Sequence, residues 1–304
     1  MSLAVSLLLA IFYGVIEAVT EWLPISSSAH LLLLDRIPNL GLSYTYGEEF
    51  LDLFTAVLEL GAAIAALIYF FKDLFPREET EAAGEDAVNA QQTEKIWSLW
   101  LRIIVGCVPV GIAGLLISQL LSDEQNNKLN SFLVIGIMLL IVGVVFLVSE
   151  LLLKRRKRHC LEEGTLSYRY DRVSSMPLWL CLVIGLIQVL SVIPGTSRSG
   201  VTILAALLLG VPRSISVRYS FYMSIPLLIC SSVLSFISYG TSGAALDLNM
   251  GLTLGVGLVT SLLLSLLLIR FLVTFLEKHT LNVFGIYRVG LGGIVLGLSL
   301  GGVI

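Results

Sequence analysis

The chain has 304 residues, of which 56% are hydrophobic and only 13% are charged. A soluble domain cannot bury that much apolar surface, so the composition predicts an all-α polytopic membrane protein. The net charge of −3 gives no indication of a nucleic-acid partner, and none is expected. The four cysteines lie singly, without a CxxC pair, so neither a disulfide framework nor a zinc site is predicted.

The first long apolar stretch, residues 3–34, is interrupted near its middle by Pro24 and a run of serines. It is too long for one membrane crossing, and each half is short for a crossing of its own. This pattern predicts a re-entrant helical hairpin, which enters the membrane and returns to the same side. The hairpin is followed by three apolar segments of full crossing length, at 51–71, 101–121 and 132–153.

The second half of the chain repeats this order. Residues 177–211 are apolar and interrupted at Pro194, and three further crossings are predicted at 219–239, 252–275 and 284–304. The sequence GVIEAVTEWLPISSSAH, from Gly14, aligns with GLIQVLSVIPGTSRSG, from Gly185. A one-residue gap in this alignment then places Ser27 on Ser197.

Three crossings lie between the two hairpins, so the second hairpin must start from the opposite face of the membrane. The predicted fold is therefore an inverted repeat with six full crossings and four half-helices. Its two repeats are residues 1–153 and 177–304, joined by a basic linker at 154–176. In inverted repeats the broken helices meet near the middle of the membrane, so the two interrupted turns are expected to share one cavity.

The orientation is predicted from the basic run KRRKR at 154–158, which is expected in a cytoplasmic loop. The acidic loop at 73–95 falls on the same side in this arrangement. Four other arginines are expected at cytoplasmic helix ends, where long basic side chains reach the interface. They are Arg213, Arg218, Arg270 and Arg288.

Arg198 is the most informative single residue, because a cation at bilayer depth needs an anion or water beside it. Small and hydroxyl-bearing residues surround it just before an apolar helix, which is typical of an anion-binding turn. These residues are Gly195, Thr196, Ser197, Ser199 and Gly200. The pattern indicates a phosphate site, which the planar guanidinium suits. The alternative is an ion pair with Glu17 or Glu21 that only holds the hairpins together.

Glu17 and Glu21 lie four residues apart and therefore share one face of a helix. Two adjacent carboxylates in an apolar element need a proton or a cation between them. A divalent cation, Mg²⁺ or Ca²⁺, would suit two carboxylates and phosphate oxygens. The alternative is a pair that binds only Arg198 and water. Glu59, an isolated acid within an apolar segment, is expected to face the same cavity.

The serine run 26–28 lies at the start of the returning half-helix, and His30 follows within one turn. A serine close to a histidine is a nucleophile-and-base arrangement, which predicts a catalytic serine. Serines also begin helices for structural reasons alone, and Ser26 is open to that interpretation.

Two motifs carry a resemblance to a known family. EAVTEWLPISSSAH resembles the (E/Q)GxTE-(F/W)-LP-(I/V)-SS-(S/T)-(G/A)-H signature of the undecaprenyl-diphosphate phosphatases of the bacitracin-resistance type. PGTSRSGVT resembles the PG-x-SRS-xx-T signature of the same family. The similarity extends over nearly the whole chain. It implies a membrane hydrolase that removes the terminal phosphate of a C55 polyprenyl diphosphate and recycles the carrier lipid for cell-wall synthesis.

The resemblance also implies a role for each matching residue. Glu17 and Glu21 would bind metal or water, Ser27 would be the nucleophile, and His30 would transfer protons. Arg198 would clamp the diphosphate, with Ser197 and Thr202 beside it. Members of the family are often homodimers, and their cavity is thought to open to the outer face of the cell membrane. Glu59 departs from the Gln or His that is common in that segment.

Two other classes of function fit parts of the pattern. Inverted repeats that meet at the midplane are also a transporter architecture, so a flippase that moves a polyprenyl phosphate through the same cavity is the alternative. A channel is disfavoured, because Arg198 and two acids would obstruct a simple pore. Release of phosphate in detergent separates hydrolysis from transport.

Overall fold

The computed structural model describes residues 2–37, 40–75, 96–120, 131–162 and 170–304, and over these ranges it contains helices and no strands. The longer helices are α1 Leu3–Thr20, α2 Ser27–Asp35, α4 Glu48–Tyr69, α6 Ile96–Leu120, α7 Phe132–Glu162, α8 Leu178–Gln188, α9 Arg198–Leu208, α10 Arg213–Thr241, α11 Leu248–Lys278 and α12 Asn282–Leu300. Two single-turn helices, α3 Ser43–Tyr46 and α5 Phe71–Leu74, flank α4. A 3₁₀ turn, Val189–Val192, extends α8.

Seven of the described helices are long and apolar enough to cross a membrane, which confirms a polytopic membrane protein. Six of them correspond to the six predicted crossings. The seventh is α1, which was expected to be a half-helix but continues without a break for 18 residues. At 1.5 Å per residue it is about 27 Å long, close to the thickness of the hydrocarbon core. Its predicted counterpart α8 has only 11 residues.

The prediction of a loop at 154–158 is wrong. The crossing expected to end at residue 153 continues as helix to Glu162, so the basic run at 154–158 is the end of α7 and not a loop. Lys and Arg are good helix formers, and positive charge is favourable at a helix C-terminus. Most of the predicted acidic loop, at residues 76–95, lies outside the described residues.

The two predicted hairpins pack in corresponding ways. Helix α1 packs along α11, and α8 packs along α6. The aligned glycines lie in these contacts: a Cβ at Gly14 would lie 2.9 Å from Cβ of Thr260 in α11, and Gly185 lies directly against Gly106 in α6. The third crossings, α7 and α12, form another extensive pair, and α4 packs against both α10 and α11.

The two chain interruptions have the same local structure. Ser26 and Ser197 both have positive φ angles, 75° and 70°, and are the only described non-glycine residues that do. Each serine precedes a short helix, and its Oγ accepts a hydrogen bond from the backbone N–H three residues on, at Ala29 and Gly200. Ser26 therefore corresponds to Ser197. The sequence alignment, which matched Ser27 with Ser197, is shifted by one residue.

Candidate functional site

This correspondence places Ser27 and Arg198 at the same position, the first residue after the cap of a short helix. The two side chains meet at one carboxylate. Oγ of Ser27 donates a hydrogen bond of 2.5 Å to Oε2 of Glu21, and Nη2 of Arg198 forms an ion pair with Oε1 of the same residue. Residues that are 177 positions apart in the sequence thus form a compact polar centre, as the sequence predicted.

The guanidinium of Arg198 has a second partner. Its Nη1 donates to the backbone oxygen of Ser224 in α10, at 3.2 Å. Two of its five N–H groups are thereby used, which leaves three without a hydrogen bond to the described residues. The side chain is 16% exposed. The ion pair that the sequence offered as the structural alternative is present, and donors remain for an anion as well.

Glu17 lies in the last turn of α1, four residues before the C-cap Glu21, and is completely buried. Neither of its carboxylate oxygens has a hydrogen-bond partner among the described residues. A buried carboxylate without a partner is an acceptor that a cation or a proton would satisfy. In the part of the chain that the structure describes, however, no three His, Cys, Asp or Glu side chains converge as a metal-ligand set.

Glu59 faces a polar cavity, but no residue of the two chain interruptions is among those that line it. The cavity has a volume of about 350 Å³ and lies between α4 and α10. Glu59 accepts a hydrogen bond of 3.2 Å from Ser231 of α10. The remaining polar lining residues are Glu49, Asp52, Thr55, Ser235, Ser238, Tyr239 and Ser242.

His30 and Ser27 hydrogen-bond to other groups and not to each other. Its Nδ1 lies 2.7 Å from the backbone oxygen of Ser26 and its Nε2 lies 2.6 Å from the hydroxyl of Tyr287. Since a carbonyl oxygen only accepts, Nδ1 carries a proton, and in the neutral ring Nε2 accepts from Tyr287. The two rings also stack, with centroids 5.8 Å apart. The acceptor that the structure gives Ser27 is Glu21, so a proton-transfer role for His30 stays a prediction.

The residues expected to cradle a diphosphate are mainly engaged within the protein. The hydroxyl of Thr202 hydrogen-bonds to Ser220 at 2.5 Å and donates to two carbonyl oxygens of its own helix. Ser199 donates to the backbone oxygen of Leu23 in the other interruption, at 3.4 Å. These contacts make Thr202 and Ser199 structural links between elements.

The other residues predicted to bind the diphosphate differ in their hydrogen bonds and backbone conformation. Ser26 and Ser197 are helix caps, so the structural interpretation of Ser26 has geometric support. Gly195 has a φ of 89°, and a Cβ there would lie 2.7 Å from the backbone oxygen of Ile135. Thr196 is fully buried, and its hydroxyl has no hydrogen-bond partner among the described residues.

The sequence analysis misplaced one arginine. Arg288 was expected at a cytoplasmic helix end, but it is completely buried and its guanidinium donates to carbonyl oxygens of both interruptions. Arg213 pairs with buried Glu150, and Arg218 pairs with Glu277. The signal that could have identified Arg288 is its position inside the predicted crossing 284–304, four residues after the start of that crossing.

The fold and the centre define an integral membrane protein with a carboxylate, a hydroxyl and a guanidinium collected at one buried point. Comparison with known proteins identifies the group to which it belongs. A family model described as "Bacitracin resistance protein BacA" matches residues 10–294, which is nearly the whole chain. The chain therefore belongs to this family.

Curated relatives carry the name undecaprenyl-diphosphatase. The chain is 37% identical to one from Streptococcus thermophilus, over 96% of this chain and 93% of that protein. It is also 37% identical to one from Streptococcus equi subsp. zooepidemicus, over 97% and 96% of the two chains. A third, from Enterococcus faecalis, is 36% identical over 96% of each chain.

Proposed function

We propose that this protein is an undecaprenyl-diphosphate phosphatase, which hydrolyses the C55 polyprenyl diphosphate to the monophosphate and inorganic phosphate. The family and the names of its relatives support the activity and the substrate. The structural observation that carries the proposal is the shared carboxylate of Glu21, which joins a hydroxyl nucleophile to an arginine. Phosphoryl transfer needs positioning and charge stabilisation, and this arrangement supplies both.

In the proposed reaction the lipid tail lies among the helices and the diphosphate lies at the centre. Arg198 neutralises the charge that spreads over the transferred phosphoryl group. Oγ of Ser27 attacks the terminal phosphorus as its proton passes to Glu21, and the P–O bond to the lipid phosphate breaks. Water then releases inorganic phosphate from the serine. Direct attack by a water molecule held at the same carboxylate would use the same residues.

A divalent cation, Mg²⁺ or Ca²⁺, fits the same centre. Glu17 and Glu21 are the residues that would hold it, because Glu17 has two buried oxygens without a partner and lies four residues before Glu21. When bound, such a cation would neutralise phosphate charge, with phosphate oxygens and water completing its ligands.

We further propose that the chain is an inverted repeat in the cell membrane, with the cavity open to the outer face. Three observations support the repeat: the matching serine caps, the corresponding packing of α1 on α11 and of α8 on α6, and the aligned glycines in those contacts. The cavity begins beside Glu49, near the start of α4, which lies on the outer side if the basic end of α7 is cytoplasmic.

The decisive experiment is phosphate release from undecaprenyl diphosphate by the purified protein in detergent, with and without a chelator. Detergent micelles have no second compartment, so release of phosphate identifies hydrolysis. Binding of the lipid without release would contradict the proposal and favour a flippase. If the chelator abolishes release and added Mg²⁺ or Ca²⁺ restores it, a required cation is identified.

A further inference from the structure

The buried arginine of α12 contacts both chain interruptions at once. Nη1 of Arg288 donates to the backbone oxygen of Pro24 at 3.2 Å. Its Nη2 donates to the backbone oxygen of Gly195 at 2.5 Å and to that of Thr196 at 3.0 Å. One rigid planar group is therefore hydrogen-bonded to two segments that come from opposite halves of the chain.

The carbonyls that Arg288 binds are equivalent. Pro24 lies two residues before the cap Ser26, and Gly195 lies two residues before the cap Ser197. The guanidinium thus bridges the same point of two matching turns. Its charge is compensated by carbonyl oxygens and by the ring of Phe146, 5.5 Å from Cζ, and it forms no ion pair with a carboxylate of the described residues.

The turns that Arg288 bridges are strained. Ser26 and Ser197 both adopt positive φ, a conformation that side chains with a Cβ rarely adopt and that persists only where the surroundings enforce it. The residue that follows each of them, Ser27 or Arg198, reaches Glu21. A change in either turn would therefore move a side chain of the candidate centre.

We propose that Arg288 is a positioning residue, which holds both strained turns so that Ser27 and Arg198 meet at Glu21. The proposal rests on the proposed function for its effect on turnover. Its physical content, a restraint on two turns by one guanidinium, is independent of the substrate. Arg288 itself touches backbone oxygens and not the candidate reacting groups.

The test compares Arg288→Lys and Arg288→Gln with the wild type and with Arg270→Lys, an exposed arginine of α11 that serves as the matched control. Lysine keeps the positive charge but cannot span two separated carbonyls as the planar fork does. We expect Arg288→Lys to lower kcat about 100-fold, because small misplacement of reacting groups has effects of that order. KM should change less than about threefold, and Arg270→Lys should match the wild type.

Hydrogen exchange measured by mass spectrometry gives a second reading that needs no substrate. In Arg288→Lys the amides of residues 25–30 and of residues 195–201 should both exchange faster, while the middle of α4 and α11 stays as protected as in the wild type. A wild type that releases no phosphate would reject the proposed function and leave this measurement to decide the role of Arg288.

Three outcomes would overturn the proposal. One is a kcat for Arg288→Lys within twofold of the wild type. Another is faster exchange in only one turn, or throughout the protein. The third is that neither variant can be purified as a monodisperse protein, since Arg288 would then be a requirement of the whole fold.

Discussion

The carboxylate of Glu21 has a different partner on each oxygen, the hydroxyl of Ser27 and the guanidinium of Arg198. Because the two oxygens share one negative charge, removal of that charge affects both partners. An amide at this position would keep the shape of the side chain, but it would present an N–H group to a hydroxyl or to a cation. A substitution of Glu21 by glutamine is therefore expected to affect proton transfer and charge more than packing.

We expect Glu21→Gln and Ser27→Ala each to lower kcat by about 10²- to 10⁴-fold, the range over which positioned acid–base and nucleophilic groups act. The measurement is phosphate release from undecaprenyl diphosphate by purified variants. Glu48→Gln, an exposed carboxylate at the start of α4, is the matched control and should retain wild-type turnover. Near-normal turnover by Ser27→Ala would exclude Ser27 as the nucleophile and leave attack by water.

Tyr287 offers a separate test of His30. Tyr287→Phe keeps the ring that stacks on the imidazole and removes only the hydroxyl that donates to Nε2. A hydrogen bond of this kind contributes about 0.5–1.5 kcal/mol, so we expect a decrease in activity of about 2- to 10-fold. Tyr44→Phe, at an exposed tyrosine, should have no effect. Unchanged activity in Tyr287→Phe would mean that this contact does not contribute to turnover.

At the scale of elements, the two short helices that begin with serine caps determine where the candidate groups lie. A capping residue at positive φ must meet two requirements. Its side chain must accept a hydrogen bond from a backbone N–H, and its backbone must tolerate a strained conformation. Ser197 meets both, whereas Asp247, the cap of α11, accepts from Met250 at 2.7 Å with an ordinary φ of −85°. The two caps therefore respond differently to the same substitutions.

We expect Ser197→Ala to destabilise the protein by roughly 1–2 kcal/mol, through loss of the cap acceptor. Ser197→Gly should be clearly more stable than Ser197→Ala, because glycine adopts positive φ without strain. At Asp247 the difference between the glycine and alanine variants should be smaller. Thermal unfolding in one detergent measures all four variants. Equal alanine–glycine differences at the two caps would show that the strain at Ser197 is negligible.

Several elements were predictable from the sequence, because a run of apolar residues of crossing length has few alternatives in a membrane. The intramembrane charges Glu21 and Arg198 were predictable for the same reason, since each needs a polar partner. The partners of His30 were not, because Tyr287 is 257 positions away and nothing local indicates it. The one-residue error in the alignment of Ser27 with Ser197 could not be detected from the sequence, since only the φ angles identify which serine is the cap.

At the scale of the whole molecule, the proposed topology places the two ends of α11 on opposite sides of the membrane. Asp247, just before this helix, should face the outside, and Lys278, at its end, should face the cytoplasm. Both follow from a cytoplasmic basic end of α7 and from the order of the helices.

Single cysteines at these positions, Asp247→Cys and Lys278→Cys, test the topology in a background without the four native cysteines. A membrane-impermeant maleimide applied to intact cells should label Asp247→Cys alone, and both variants should be labelled after the cells are opened. Labelling of Lys278→Cys alone in intact cells would reverse the orientation. Labelling of both in intact cells would contradict the predicted crossing between them.

The matching turns carry unlike residues at the same point, a serine in the first half and an arginine in the second. Two identical copies of either half would present two hydroxyls or two guanidiniums, and neither set contains a nucleophile beside a cation. If the halves arose by gene duplication, a hydrolytic centre of this kind could form only after they had diverged. Each half would then need the other for activity, and a substitution in either turn would affect the one centre that the two halves share.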